Sequence, residues 1–283
     1  MNKKRYKYFL VLILLVAGII LALELKRFND RSFKFYMLNV GAGNAFFIET
    51  PSKNQILIGG GPDRSALGEL GDVMPFWDRS LDLIILITHK SEDTSGLVDV
   101  LKNYDVKKII DGGGVSNQSS YRELDGLIQG KKIERIFATS GMDVPLDRDV
   151  SMSILGADAD EKYGGRGGNL ILRIVFGNTR FLLMGDAEKP DELSLVSSGA
   201  DIKSDILQVG HHGSKNSANP LFLDRVLPKY ALISVDAKNR YGYPDQNTLD
   251  TIAKASAKIF RTDLNSRIEV ISDSVNFKVV SKR

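Results

Sequence analysis

Apolar positions run almost unbroken from Tyr8 to Leu25, YFLVLILLVAGIILALEL, behind the basic start MNKKRYK. That is about the minimum length for a helix that crosses the hydrocarbon core of a bilayer. No polar face interrupts the run, which separates it from a helix buried in a soluble core. A cleaved signal peptide shares the basic start and the apolar middle. The run is long for one, and no small-x-small cleavage site follows it. The pattern predicts an uncleaved anchor within residues 1–28, with Lys3, Lys4, Arg5 and Lys7 on the cytoplasmic side. Residues 29–283 would then form an extracytoplasmic domain of a single-pass cell-membrane protein.

After the anchor the apolar runs become short. FKFYMLNV (33–40), AFFIET (45–50) and QILIGGGP (55–62) predict strands joined by Gly-rich turns. LDLIILIT (81–88) is apolar at nearly every position, the pattern of a strand covered on both faces. SGLVDVLKNY (95–104) has helical spacing and leads to a short strand, KKIID (107–111). The middle of the chain is irregular, with polar or Gly-rich connections at 111–120 and 156–169. Strands are expected again at 169–176, 179–184, 204–210, 230–235, 258–262, 267–272 and 275–280. Helices are expected at 189–198, 218–228 and 246–256. Mixed elements of this kind point to sheets with helices packed outside. No internal linker or tandem repeat divides residues 29–283.

Charge changes the picture once the anchor is set aside. Residues 1–28 hold six Lys/Arg and one Glu, a net +5 against +3 for the whole chain, so the outer region carries −2. It lacks the bulk positive charge that holds nucleic acid non-specifically. The chain has no cysteine, which excludes disulfides and thiol catalysis.

The candidate chemistry gathers at predicted strand ends. All three histidines, His89, His211 and His212, stand there, as does Asp186 in LLMGD; Asp93 follows His89 by about one helical turn. Imidazoles and carboxylates converging at a sheet edge are what a hydrolytic zinc or manganese site needs, because the ion acidifies bound water and polarises the scissile group. Singly, each residue has a plainer reading. A strand-end histidine is more often a structural hydrogen-bonding group, and Asp93 could cap the helix that follows. VGAGN lacks a Walker lysine and reads as a hairpin turn. Ser214 beside two histidines has no evident orienting acid. Asp158 and Asp160 in ADADEK lack the closing acid of a calcium loop and read as a solvated connection.

Taken in order, MLNVGAGNAFFIET, ILIGGGP, LITHKSEDTSGL, RFLLMGDAE, LQVGHHGSKNS, PKYALISVDAKNRYGYP and FRTDLNSRIEVIS resemble the metallo-β-lactamase-like domain of the ComEC family, the membrane DNA-uptake proteins of bacterial competence. The resemblance covers about residues 33–280. It implies a four-layer αββα sandwich with a metal site at the sheet edges, preceded here by the one transmembrane helix. The family motifs are LDVGQGDA, LIDGG, THxxxDHxGG, GD, GHHGS and YGHP. Against them, Asn39 and Asn44 replace two aspartates, Gly59 replaces the aspartate of DGG, Thr94 replaces a histidine, and Tyr243 replaces the histidine of YGHP. Ser91 holds the place of a histidine that many relatives already lack.

The ligand set left by the resemblance is His89, Asp93, Asp186, His211 and His212, with Asp93 and Asp186 the catalytic groups if the site is active. A catalytic zinc usually has three protein ligands and an open water position; a two-metal site needs about twice as many. The expectation is therefore one zinc or manganese ion, or none. The leading reading is a binding or scaffolding protein with lost or weakened hydrolase activity. The alternative is a phosphodiesterase or nuclease with a remodelled metal site, in which Lys90, Arg240 or Tyr243 would contact phosphate. With a single span the chain cannot form a multi-helix channel alone, so a separate channel or envelope protein is the expected partner. Nucleic acid enters only by family analogy.

Overall fold

The computed structural model describes residues 3–113, 116–157 and 168–282. The connection holding Asp158 and Asp160 lies outside the described residues. Within the first helix, α1 (Lys3–Asn29), side chains are described for residues 7–21, 25 and 29. Those from Tyr8 to Val16 are exposed despite their apolar character. Among the described residues no helix is long and apolar enough to cross a membrane; residues 7–21 alone fall short of the roughly 20 needed.

Two sheets make the centre of the domain. The first runs in the order β15 (Phe277–Ser281), β14 (Ile268–Ser272), β1 (Phe33–Met37), β2 (Phe46–Glu49), β3 (Gln55–Ile58), β4 (Ser80–Leu86), β5 (Asp105–Asp111) and β6 (Glu134–Phe137). The second runs β13 (Lys258–Arg261), β12 (Tyr230–Ile233), β11 (Ile206–Gln208), β10 (Thr179–Leu183), β9 (Leu170–Phe176), β8 (Val150–Ala157) and β7 (Asp143–Asp147). In the first sheet β3 to β6 are mutually parallel, and so are β10 to β13 in the second.

The unbroken apolar run of β4 now has its reason. Leu83 and Ile85 face the core between the sheets, while Ile84 and Leu86 lie under the outer helices. Alternation at period two therefore buries both faces. Across the inter-sheet core Phe35 meets Phe181 at 4.9 Å between ring centroids, and Phe33 stacks on Phe176 at 5.6 Å. Helices α2 (Ser65–Val73), α3 (Ser91–Asn103) and α4 (Ser119–Lys131) cover the first sheet through Leu70, Leu97 and Leu124. Helices α5 (Lys189–Ser198), α6 (Pro220–Val226) and α7 (Gln246–Lys254) cover the second through Leu195, Phe222 and Ile252. The result is the expected αββα sandwich.

Sequence and structure part in the middle. Helix α3 begins at Ser91, four residues earlier than its apolar spacing predicts. Helices α2 and α4 and strands β6, β7 and β8 occupy stretches for which no element was expected. Strand β6 is an edge strand with half-exposed side chains, so it leaves little hydrophobic signal.

Candidate functional site

The parallel strands end at one edge, and the loops leaving them converge there. Strand β4 delivers Thr88 and His89, α3 starts with Lys90 at its N-cap, and the loop after β10 brings Asp186. From the second sheet, β11 leads into a short 3-10 turn, Gly210–Gly213, which holds His211 and His212. Both histidines take left-handed backbone conformations, with φ of 45° and 54°. Strain of that kind in non-glycine residues persists where the surroundings over-determine it. The turn is pinned by Ser217, whose hydroxyl donates to the Gly210 carbonyl at 2.8 Å.

Asp93 and Asp186 come together through Asn44. The Asn44 side-chain amide donates to Oδ1 of Asp186 at 3.2 Å and to Oδ2 of Asp93 at 3.4 Å, and its backbone N–H donates to Oδ1 of Asp93 at 2.5 Å. Thr88 completes Asp93 by donating its hydroxyl at 2.7 Å. The second oxygen of Asp186 accepts from the Lys90 ammonium at 2.5 Å. Burial and the negative charge of Asp186 push the Asp93 carboxyl up to about 7. Burial would raise Asp186 as well, but the Lys90 ammonium, helped by His212, holds it below the usual carboxylate range. The two carboxylates thus differ in character, one near neutral and one firmly ionised.

His212 points its Nε2 toward the same place, 3.9 Å from Asp186 Oδ1, because its Nδ1–H donates to the Ser234 carbonyl at 2.9 Å. His211 is half-buried and bonded through Nδ1 to Glu188 at 2.7 Å. Tyr243 packs on this pair, its ring 5.5 Å from that of His211 and 6.4 Å from that of His212, and the exposed Tyr241 stacks on Tyr243 in turn. The result is an aromatic rim on the side of Asp186 from which His212 approaches, with the half-exposed Lys90 on the same carboxylate. Lys90, expected to meet phosphate, spends its charge on Asp186.

His89 does not join the group. Its Nε2 is 2.6 Å from Asp111 Oδ1, and its ring lies 4.2 Å from the ring of Tyr121 on α4. Asp111 also accepts from Arg135, from the Tyr121 hydroxyl at 3.1 Å and from the Gly113 N–H at 2.9 Å. Burial alone would raise Asp111, but His89 and then the Gly113 N–H and Arg135 bring it down to about 2. His89 is thereby part of a buried charge network under α4. Asp111, Tyr121 and Arg135 lie in stretches with no motif, and sequence reasoning missed all three, as it missed Glu188. Asn44 and Lys90 were seen, but not their roles.

Whether these residues suit the metal that the family implies can be judged from their donors. A cation between Asp93 and Asp186 would have to face the Asn44 NH2 group, which is a donor, and compete with an ammonium already on Asp186. Turning the Asn44 amide over would offer its oxygen to an ion only by giving up the bonds it donates to Asp93 and Asp186. His89 has its Nε2 committed elsewhere. Gly59 adds a steric reason: at φ 67°, a Cβ there would lie 2.2 Å from the Asn44 carbonyl oxygen, so an aspartate could not occupy this backbone unchanged. Among the described residues no group of three or more His, Asp or Glu is arranged to hold an ion. The residues present do not fit a resident metal in this geometry.

No family model matches the chain. Over 253 residues it is 31% identical to ComE operon protein 3 of Bacillus subtilis (strain 168), covering 82% of this chain and 32% of that protein. The chain carries a ComEC-like metallo-β-lactamase-fold domain. Competence protein ComA of Neisseria gonorrhoeae is 26% identical over 234 residues, covering 82% of this chain and 31% of its own length. The chain therefore spans about a third of the length of these curated relatives. Among solved structures, the metallo-β-lactamase fold protein YhfI from Bacillus subtilis superposes with a TM-score of 0.55 over 81% of this chain and 96% of that one. At 11% identity it supports the ComEC-like domain in its fold alone.

Proposed function

We propose that this chain is a membrane-anchored, extracytoplasmic ComEC-like protein that binds or scaffolds rather than hydrolyses. One observation carries the reading: Lys90 and Asn44 satisfy Asp186 and Asp93 with donors from the chain itself, where a metallo-hydrolase needs those carboxylates free for an ion. The anchor is supported by the 27-residue helix α1, the exposure of its described apolar side chains, and the basic residues before them. The partner proposed with this reading is a separate channel or envelope protein. Nucleic acid as ligand rests on the relatives' link to competence.

The test is turnover of bis(p-nitrophenyl) phosphate and single-stranded DNA by the full chain in detergent, with zinc, manganese or magnesium added. No metal-dependent cleavage is expected. Efficient cleavage, abolished by Asp186→Ala, overturns the proposal. It would favour the second reading, a one-metal phosphodiesterase, whose support is that Asp186 and His212 still face each other across 3.9 Å.

A further inference from the structure

The sheet edge opposite the candidate site carries apolar groups that the binding role does not use. Phe76 and Trp77 are 72% and 48% exposed and form a T-shaped pair with ring centroids 4.6 Å apart. They sit on a turn closed by the Asp78 N–H donating to the Pro75 carbonyl at 3.0 Å. The turn is fastened to the sheet on its far side. Gln55 donates to Asp78 at 2.9 Å, and Arg79 donates to the Tyr104 hydroxyl at 2.6 Å. Two large aromatic side chains are thus held outward by a rigid base rather than left on a loose loop.

Strand directions say which edge this is. Strand β1 is antiparallel to β2, β2 is antiparallel to β3, and β3 is parallel to β4. The start of β1 therefore lies at the same edge as the start of β4, which the Phe76–Trp77 turn precedes. Only residues 30–32 separate α1 from β1. Asp30 holds them close by pairing with Lys34 at 2.8 Å and accepting from the Ser32 hydroxyl at 2.6 Å. Three residues reach about 10 Å at most. On the far side of β1, Phe33 is paired with Ser272, so the β14–β15 hairpin tip, with Val275 64% exposed, shares this edge. At about 4.8 Å per strand, the two apolar tips stand roughly 20 Å apart and flank the point where α1 joins the domain.

We propose that this edge rests on the lipid surface, with Phe76 and Trp77 in the headgroup region of the leaflet from which α1 emerges. Aromatic side chains favour that depth because one face is apolar while the Trp N–H can still reach water or lipid oxygen. The inference rests on the anchor reading given above. The occupant is a bilayer because the short tether brings the edge within reach of one. The seven residues of β4 then put Lys90, Asp186 and the aromatic rim about 20–25 Å from the membrane, facing away from it.

Trp77 is the sole tryptophan of the chain, so its fluorescence reports on this turn alone. The full chain is reconstituted in phosphatidylcholine vesicles and washed in alkaline carbonate. Retained chain is then quenched either by iodide in the water or by lipids brominated near the headgroup. The expected result is strong quenching by the lipid and iodide quenching about threefold weaker than in urea-unfolded chain. Phe76→Ser should raise iodide quenching about twofold while carbonate retention stays unchanged. Chain retained after the wash but quenched by iodide as freely as when unfolded, with no quenching by brominated lipid, overturns the docking while leaving the anchor standing. Chain released by the wash overturns the anchor, and the docking with it.

Discussion

The Lys90 ammonium and the Asp186 carboxylate, 96 positions apart, meet at 2.5 Å across the mouth of the sandwich, one from the N-cap of α3 and the other from the loop after β10. The pair joins the two sheets' loops with a charge-assisted bond whose acceptor is almost fully buried. Lys90→Met should therefore lower stability, since it leaves Asp186 ionised with only the Asn44 amide and His212, 3.9 Å away. Because the lysine is 41% exposed, solvent screens part of the interaction. A loss of about 1–2 kcal/mol is expected in urea unfolding at pH 7. Unchanged stability would mean that the pair contributes nothing to holding these loops together.

The second buried network makes a separate prediction in pH. Asp111 is fully buried, shared by His89 and Arg135, and held at about 2. Its folded value lies below its unfolded one, near 3.9. Its stabilisation is therefore complete above about pH 4 and is lost as pH falls through 2. Asp111→Asn should cost about 3 kcal/mol at neutral pH, because it breaks a buried pair from one side. The difference from the wild type should narrow by about 2 kcal/mol between pH 4 and pH 2. Denaturation curves for both chains across that range measure it. A difference that does not vary with pH would remove Asp111 from the account.

These two pairs also mark how far the sequence could be read. Strands such as β4 and β9 were legible because a covered strand needs apolar residues at nearly every position. Strand β6 was not, since an edge strand with half-exposed side chains leaves little periodic signal. Helix α4 went unread although Tyr121, Leu124 and Ile128 recur at helical spacing, because Gly126 and Gly130 lower its helical propensity. At the site, strand-end placement picked out His89, Asp93, Asp186, His211 and His212. It could not tell that His89 turns toward Asp111. That choice depends on Tyr121 and Arg135, which reach the site only through the packing of α4 and β6. Nor could spacing reveal that a long, flexible lysine would reach a carboxylate 96 residues away rather than a ligand.

If the chain's own donors are what exclude a cation, removing them should admit one. Lys90→Ala clears the ammonium from Asp186. Asn44→Asp replaces the NH2 group that faces both carboxylates with a third carboxylate. With His212 Nε2 already directed at Asp186, the double variant presents that new carboxylate together with Asp93, Asp186 and His212, a donor set of the number and type that a zinc or manganese ion takes. Three carboxylates without a counter-ion repel one another, so the variant should be less stable than the wild type until metal is added. Its midpoint should then rise with zinc concentration, as a ligand that binds only the folded state requires. Elemental mass spectrometry should find close to one ion per chain in the variant and well under that in the wild type, both purified without chelator or affinity metal. Equal metal contents, whether both high or both low, would show that Lys90 and Asn44 are not what decides occupancy.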